Sequence, residues 1–170
     1  IMTNHADDKR WIARAKAALL VGGLVLLTGM ASAADKPVSK MLSPRLNQLL
    51  TEEMRSVRQA MTQIFNGITV GDHSVVANMA EQIHNSFIFN RELTAKDKQD
   101  LNGLPADFLR ADGEFHETAK KLAEAGQRKD SELQRFYYSR LLDSCVACHS
   151  RYVTDKFPGF TGEAPSGHVH

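Results

Sequence analysis

Cys145-Val146-Ala147-Cys148-His149 is the stretch of this chain best suited to chemistry. Two thiols three residues apart on one helical turn, with an imidazole directly after the second, match the spacing that anchors haem c. In that arrangement each sulfur adds across a vinyl group and the histidine reaches the iron. Two plainer chemistries use the same residue types. A thiol redox pair of the thioredoxin kind sits where a strand passes into a helix, and little strand-like alternation flanks these cysteines. Zinc needs four ligands, usually from a second such pair, and the chain has only 2 Cys. His168 and His170 lie in a Gly/Pro/Ser tail with no packing to position them as the missing ligands. The spacing therefore predicts one covalent haem c, with its iron.

Cysteines that hold haem c belong to an exported protein, and the N-terminus reads as an export signal. Lys9, Arg10, Arg14 and Lys16 form a basic region, an apolar run follows from Ala17 to Met30, and Ala31-Ser32-Ala33 offers the small residues a signal peptidase reads. The expectation is a signal peptide over 1–33, cleaved after Ala33, and a periplasmic mature protein. An uncleaved signal is the one route to a membrane, and the apolar run falls short of the ~20 residues needed to span a bilayer. Export also puts the thiols in an oxidising compartment, where an unalkylated pair would close to a disulfide. Removing the signal takes away four basic and two acidic side chains, leaving 17 Lys+Arg against 18 Asp+Glu. Near-neutral charge without a block of one sign gives no nucleic-acid surface.

The residue pattern that must position the motif is helical. Residues 34–42 are polar and read as a loosely held lead-in. Ser43 followed by Pro44 reads as an N-cap and first helical residue, and Leu50, Met54, Val57, Met61, Ile64 and Ile68 then recur at spacings of four and three. Gly71-Asp72 closes this helix and caps a second, with Val76, Met79, Ala80, Ile83 and Phe87 facing inward. Thr94 and Asp97 can cap a brief turn in the polar connection that follows. Pro105 opens a third long helix with Phe108, Phe115, Ala119 and Leu122 on one face. Gly126 ends that helix, and Gly113 weakens it by about 1 kcal/mol relative to alanine. Asp130 or Ser131 starts a fourth, whose stripe is Leu133, Phe136, Tyr137, Leu141, Cys145 and Cys148. Short links between such helices predict an all-α antiparallel four-helix bundle over 43–157, with the haem near one end and a flexible tail over 158–170.

An export signal, four helices and CxxCH near the end of the last one resemble the class II cytochromes c, the cytochrome c-prime family with its low-spin relatives. The resemblance covers most of the mature chain in layout and is specific around Cys145 to Tyr152. The family's histidine is followed three positions later by an aromatic, as in His149-Ser150-Arg151-Tyr152. Its frequent next basic residue is Val153 here, which leaves Arg151 or Lys156 for any such role. The resemblance implies thioether links at Cys145 and Cys148 and His149 as proximal ligand. It also implies that the far side of the iron carries either a methionine from the first helix or an apolar side chain with the iron five-coordinate.

Rise per residue ranks the candidates for that far side. Helix one runs antiparallel to helix four, so the haem should lie roughly ten residues into helix one, at Met54; Met61 lies two turns, roughly 10 Å, beyond. His116 and His84 fall near the level of Met54 on the other helices. The level also places Arg55, Arg58 and Arg110 for propionates, and Phe115, Phe136, Tyr137 and Phe87 as haem-packing walls. The function expected is a one-electron carrier serving redox partner proteins in the periplasm, and no hydrolytic motif points to an enzyme. The alternative is a five-coordinate protein that binds nitric oxide or carbon monoxide. Family members often form homodimers through the first two helices, and no patch in this sequence singles out that surface.

Overall fold

The computed structural model describes residues 36–88 and 93–160. The expected signal peptide, the first residues of the lead-in and residues 161–170 of the expected tail lie outside that range. Among the described residues the chain is all α-helical. A 3-10 turn at Val38–Lys40 precedes α1 (Pro44–Val70), α2 (His73–His84), α3 (Ala95–Asn102), α4 (Ala106–Gln127) and α5 (Ser131–Tyr152), and a second 3-10 turn covers Pro158–Phe160. No helix among these residues is long and apolar enough to cross a membrane.

Local chemistry fixes the helix ends. Ser43 Oγ accepts the Leu46 N–H at 3.3 Å ahead of Pro44, so α1 starts where its first free amides find a partner. Gly71 ends it at φ +74°, a conformation that glycine takes without steric cost, and Asp72 then accepts the Ser74 and Val75 amides, each at 3.1 Å. Thr94 and Asp97 form a reciprocal capping box. It opens a helix of 8 residues rather than a single turn, and Asp97 also takes Arg45 Nε at 3.2 Å, tying α3 to the start of α1. Asp130 caps α5 through the Glu132 and Leu133 amides.

Four helices pack in a circuit: α1 on α2, α2 on α4, α4 on α5, and α5 more sparsely back on α1. Ile64, Val76, Ala80, Ile83, Ala119, Leu122, Ala123 and Leu141 are completely buried in the middle of it. Burying each large aliphatic chain contributes about 1.5–3 kcal/mol. Closest approach occurs between α2 and α4, where Gly126 meets Ala77. A Cβ on Gly126 would lie 2.7 Å from the Ala77 nitrogen, so this glycine sits inside α4, allowing backbones to touch, and does not end the helix as the sequence suggested.

Other expectations shift in the same way. Helix α2 stops at His84, and Ser86 turns the chain at φ +54°. Phe87 still packs against the core, and its amide donates to the buried Glu53 carboxylate at 3.1 Å. Phe136 lies on the outer face of α5 with the Arg140 guanidinium over its ring, because it falls on the far side of the helix from Leu141. The lead-in is fastened: Val38 and Ser39 are buried, and Asn47 Nδ2 donates to the Ser39 carbonyl. Residues 158–160 of the expected tail form an ordered turn, closed by the Phe160 amide on the Phe157 carbonyl at 3.1 Å.

Candidate functional site

Helix α1 presents two faces. Leu46, Leu49, Glu53, Val57, Ala60 and Ile64 turn into the packed interior. Leu50, Met54 and Arg58 stand one step around the helix and face a cavity of about 570 Å³, which α1 shares with α4 and α5. The stripe read from sequence merged these two faces, since Leu50 and Met54 face only the cavity, Val57 and Met61 border it while being buried in the core, and Ile64 lies wholly in the interior. Met54 keeps 38 % of its surface exposed, although a methionine in a packed seam would be covered.

Across the cavity, α5 contributes Tyr138, Leu142, Cys145, His149 and Tyr152, which alternate at four and three residues and so share one face, with Cys148 beside them. From α4 come Phe108, Asp112 and Phe115. Both thiols, the imidazole, Met54, Met61, Arg55, Arg58 and Phe115 therefore border one space. Its volume falls within the roughly 300–1,000 Å³ of cofactor pockets, and its wall is mostly apolar with few polar groups. These residues fit a haem: a flat apolar body between α1 and α5, two sulfurs and a nitrogen on one wall, a thioether on the other, and cations at Arg55, Arg58 and Lys156 for its carboxylates.

Several expected residues lie elsewhere. Tyr137 packs against the core on the α4 side, and Tyr138 takes the cavity place, being two turns before Cys145 on the same face. His84 Nδ1 donates to the His116 carbonyl at 3.2 Å, and His116 Nδ1 donates to the Ile83 carbonyl at 2.6 Å. Both imidazoles bracket α2 to α4, and neither borders the cavity, because position 116 lies a third of a turn past Phe115. Arg110 stays outside and pairs along its own helix with Glu114. Arg151 is engaged by Asp107 at 2.6 Å, which leaves Lys156 as the basic residue after the motif that reaches the cavity.

Electrostatics separate this pair of thiols from a redox pair. Burial raises the Cys145 thiol above its ordinary value, with the neighbouring Cys148 adding to it, and burial followed by the Asp112 charge raises Cys148. The motif also sits at the C-terminal end of α5, where the helix dipole disfavours a thiolate. Reactive thiol pairs need the reverse. Burial lowers His149, keeping its imidazole neutral and able to donate a lone pair at neutral pH. Burial raises Asp112 against the opposing pull of His116, so a carboxyl inside the cavity resists ionisation. Among the described residues no three His, Cys, Asp or Glu side chains converge as a bare metal ion would require.

The motif is held in place by the residues that follow it. Asp107, at the start of α4, accepts from the Arg151 guanidinium and from the Tyr152 hydroxyl at 3.1 Å, while Phe108 meets the Tyr152 ring edge-on at 5.3 Å. Beyond the helix, Asp155 accepts the Ser39 hydroxyl at 2.7 Å and pairs with Lys40 at 3.6 Å. Phe157 stacks on His149 with ring centroids 4.0 Å apart and planes 11° from parallel. Sequence reasoning missed Asp107, Asp112, Asp155 and Phe157. Helical phase could have found Asp112, which lies three residues before Phe115, but the two residues beyond α5 carry no periodic signal. Compared with protein-family models, curated proteins and solved structures, the chain matches none of them.

Proposed function

We propose that this chain is a c-type cytochrome of the class II kind, an antiparallel four-helix bundle carrying one electron in the periplasm through a haem fastened at Cys145 and Cys148. The observation that carries the reading is the placement of Met54. It borders the same cavity as Cys145, Cys148 and His149, from the opposite helix, as does Met61, which helix rise had set beyond the haem. A bound haem would supply an iron that cycles between ferric and ferrous. The chain's own part would be to hold His149 neutral as one ligand, to offer the Met54 sulfur as another, and to exclude water with the apolar side chains of Leu50, Phe108, Phe115 and Leu142. Arg55, Arg58 and Lys156 are the cations available to the propionates. Partners are redox proteins that reach the α1–α5 opening.

Visible spectra test the proposal against the gas-binding alternative. Protein made in a host with haem-maturation machinery is expected to be low-spin when oxidised, with a weak far-red band from sulfur ligation. The reduced form should change little on adding carbon monoxide. A high-spin oxidised spectrum, with a reduced form that binds carbon monoxide readily, would instead establish the five-coordinate reading.

A further inference from the structure

Resting on the haem reading, we infer that Phe157 is a positioning residue that fixes the plane of the His149 imidazole. The rotation of a histidine ring about its Cβ–Cγ bond is broad and roughly two-fold, so the side chain alone does not choose an orientation. In metal sites the choice is usually made by a hydrogen bond from the ring's second nitrogen to a carboxylate or carbonyl. Among the described residues no such partner reaches His149. What does reach it is the flat face of Phe157, 4.0 Å away and within 11° of parallel. Rotating the imidazole out of that plane would drive its edge into the phenyl ring. Phe157 keeps 39 % of its surface exposed, so burial alone does not account for an aromatic at this position.

The phenyl ring is itself located by a chain of contacts that runs back to α1. Residues 153–160 fold into consecutive turns, the Phe157 amide donating to the Thr154 carbonyl at 3.2 Å and the Lys156 amide to the Val153 carbonyl at 2.9 Å. Asp155, in the middle of those turns, is gripped by Ser39 and Lys40, and Asn47 of α1 holds the Ser39 carbonyl. Helix α1, the 38–40 turn, the 153–160 turns and His149 thus form one connected support, so that both walls of the cavity help set the ligand plane.

Proton NMR of the ferric, cyanide-bound holoprotein reads this plane directly. Cyanide is cylindrically symmetric, so the spread of the four haem methyl resonances reports the histidine plane alone. The wild-type protein should give a wide spread. Phe157→Leu, which keeps apolar bulk but removes the flat ring, should shrink it by about half, and Phe157→Tyr should restore it. Ser39→Ala, which loosens the support without touching either ring, should shift the pattern in the same direction and serves if Phe157→Leu does not fold. An unchanged spread in Phe157→Leu, or in Ser39→Ala where that variant must stand in, overturns the inference while leaving the haem reading intact. A wild-type protein without haem overturns the reading itself.

Discussion

The α2–α4 interface and the α1–α5 opening are made from similar amphipathic helices, yet they hold together by opposite means. Between α2 and α4 the backbones meet where Gly126 faces Ala77, the small Ala80, Ala119 and Ala123 are completely buried, and His84 and His116 each bond a carbonyl across the interface. Between α1 and α5 the facing residues are long or aromatic, among them Met54, Met61, Tyr138 and Leu142, and they border a space instead of filling it. Tight packing of the first kind loses free energy with any change of volume. The second kind leaves a cofactor-sized gap, closed at its rim by polar tethers through Asp107 and Asp155. One side supplies the rigidity that lets the other stay open.

Truncation should hurt the two regions very differently. Leu122→Ala, in the completely buried core beside α2, should lower unfolding stability by about 2–5 kcal/mol in denaturant titration. Next in size, Gly126→Ala places a methyl against the Ala77 backbone and should cost about 1–3 kcal/mol; a neutral result would mean that α2 and α4 can separate freely. Met54→Ala, on the open side, should cost the apoprotein less than about 1 kcal/mol because no packed neighbour loses its contacts. In the holoprotein the same change should convert a low-spin spectrum to high-spin.

Acid should loosen the tethers of the open side. The Ser39 hydroxyl, ahead of Lys156 and Lys40, holds Asp155 below its ordinary 3.8, and at Asp107 the Tyr152 hydroxyl and Arg151 overcome the opposing effect of burial. A carboxylate with a lowered folded pKa stabilises the fold above its unfolded value and loses that contribution as pH falls through the folded one. Limited proteolysis should therefore cut increasingly after α5 as pH falls below about 4, and Asp155→Asn should weaken that pH dependence. The smallest effect is a gain. Gly113 has nothing within 4 Å of its missing Cβ, so Gly113→Ala should stabilise the protein by about 0.5–1 kcal/mol.

Where the sequence was legible, a local rule had a single reading. Ser43-Pro44, Gly71-Asp72 and Thr94 with Asp97 mark helix ends because caps are short-range chemistry, and the CxxCH spacing places three groups on one wall because a helical turn allows little else. Ambiguity arose where one residue type serves two purposes. Gly126 can terminate a helix or let two helices touch, and only the position of Ala77 decides. Periodicity tells that a helix has an apolar stripe but not whether it faces a core or a gap, so Met54 and Ile64 looked equivalent. His116 fell at the right height and on the wrong side, because rise along a helix axis carries no information about rotation around it. Phe157 follows the last helical residue, where no period runs, and its role depends on a buried turn at Ser39 more than a hundred residues earlier.

The most direct test of the account is the mass and colour of the protein purified from a host that matures c-type haem. A red protein heavier than its mature polypeptide by one haem, and returned to the bare mass when Cys145 and Cys148 are both replaced by serine, is the predicted result. Colourless protein at the mass of the polypeptide alone, made beside a control cytochrome that matures normally, would contradict it.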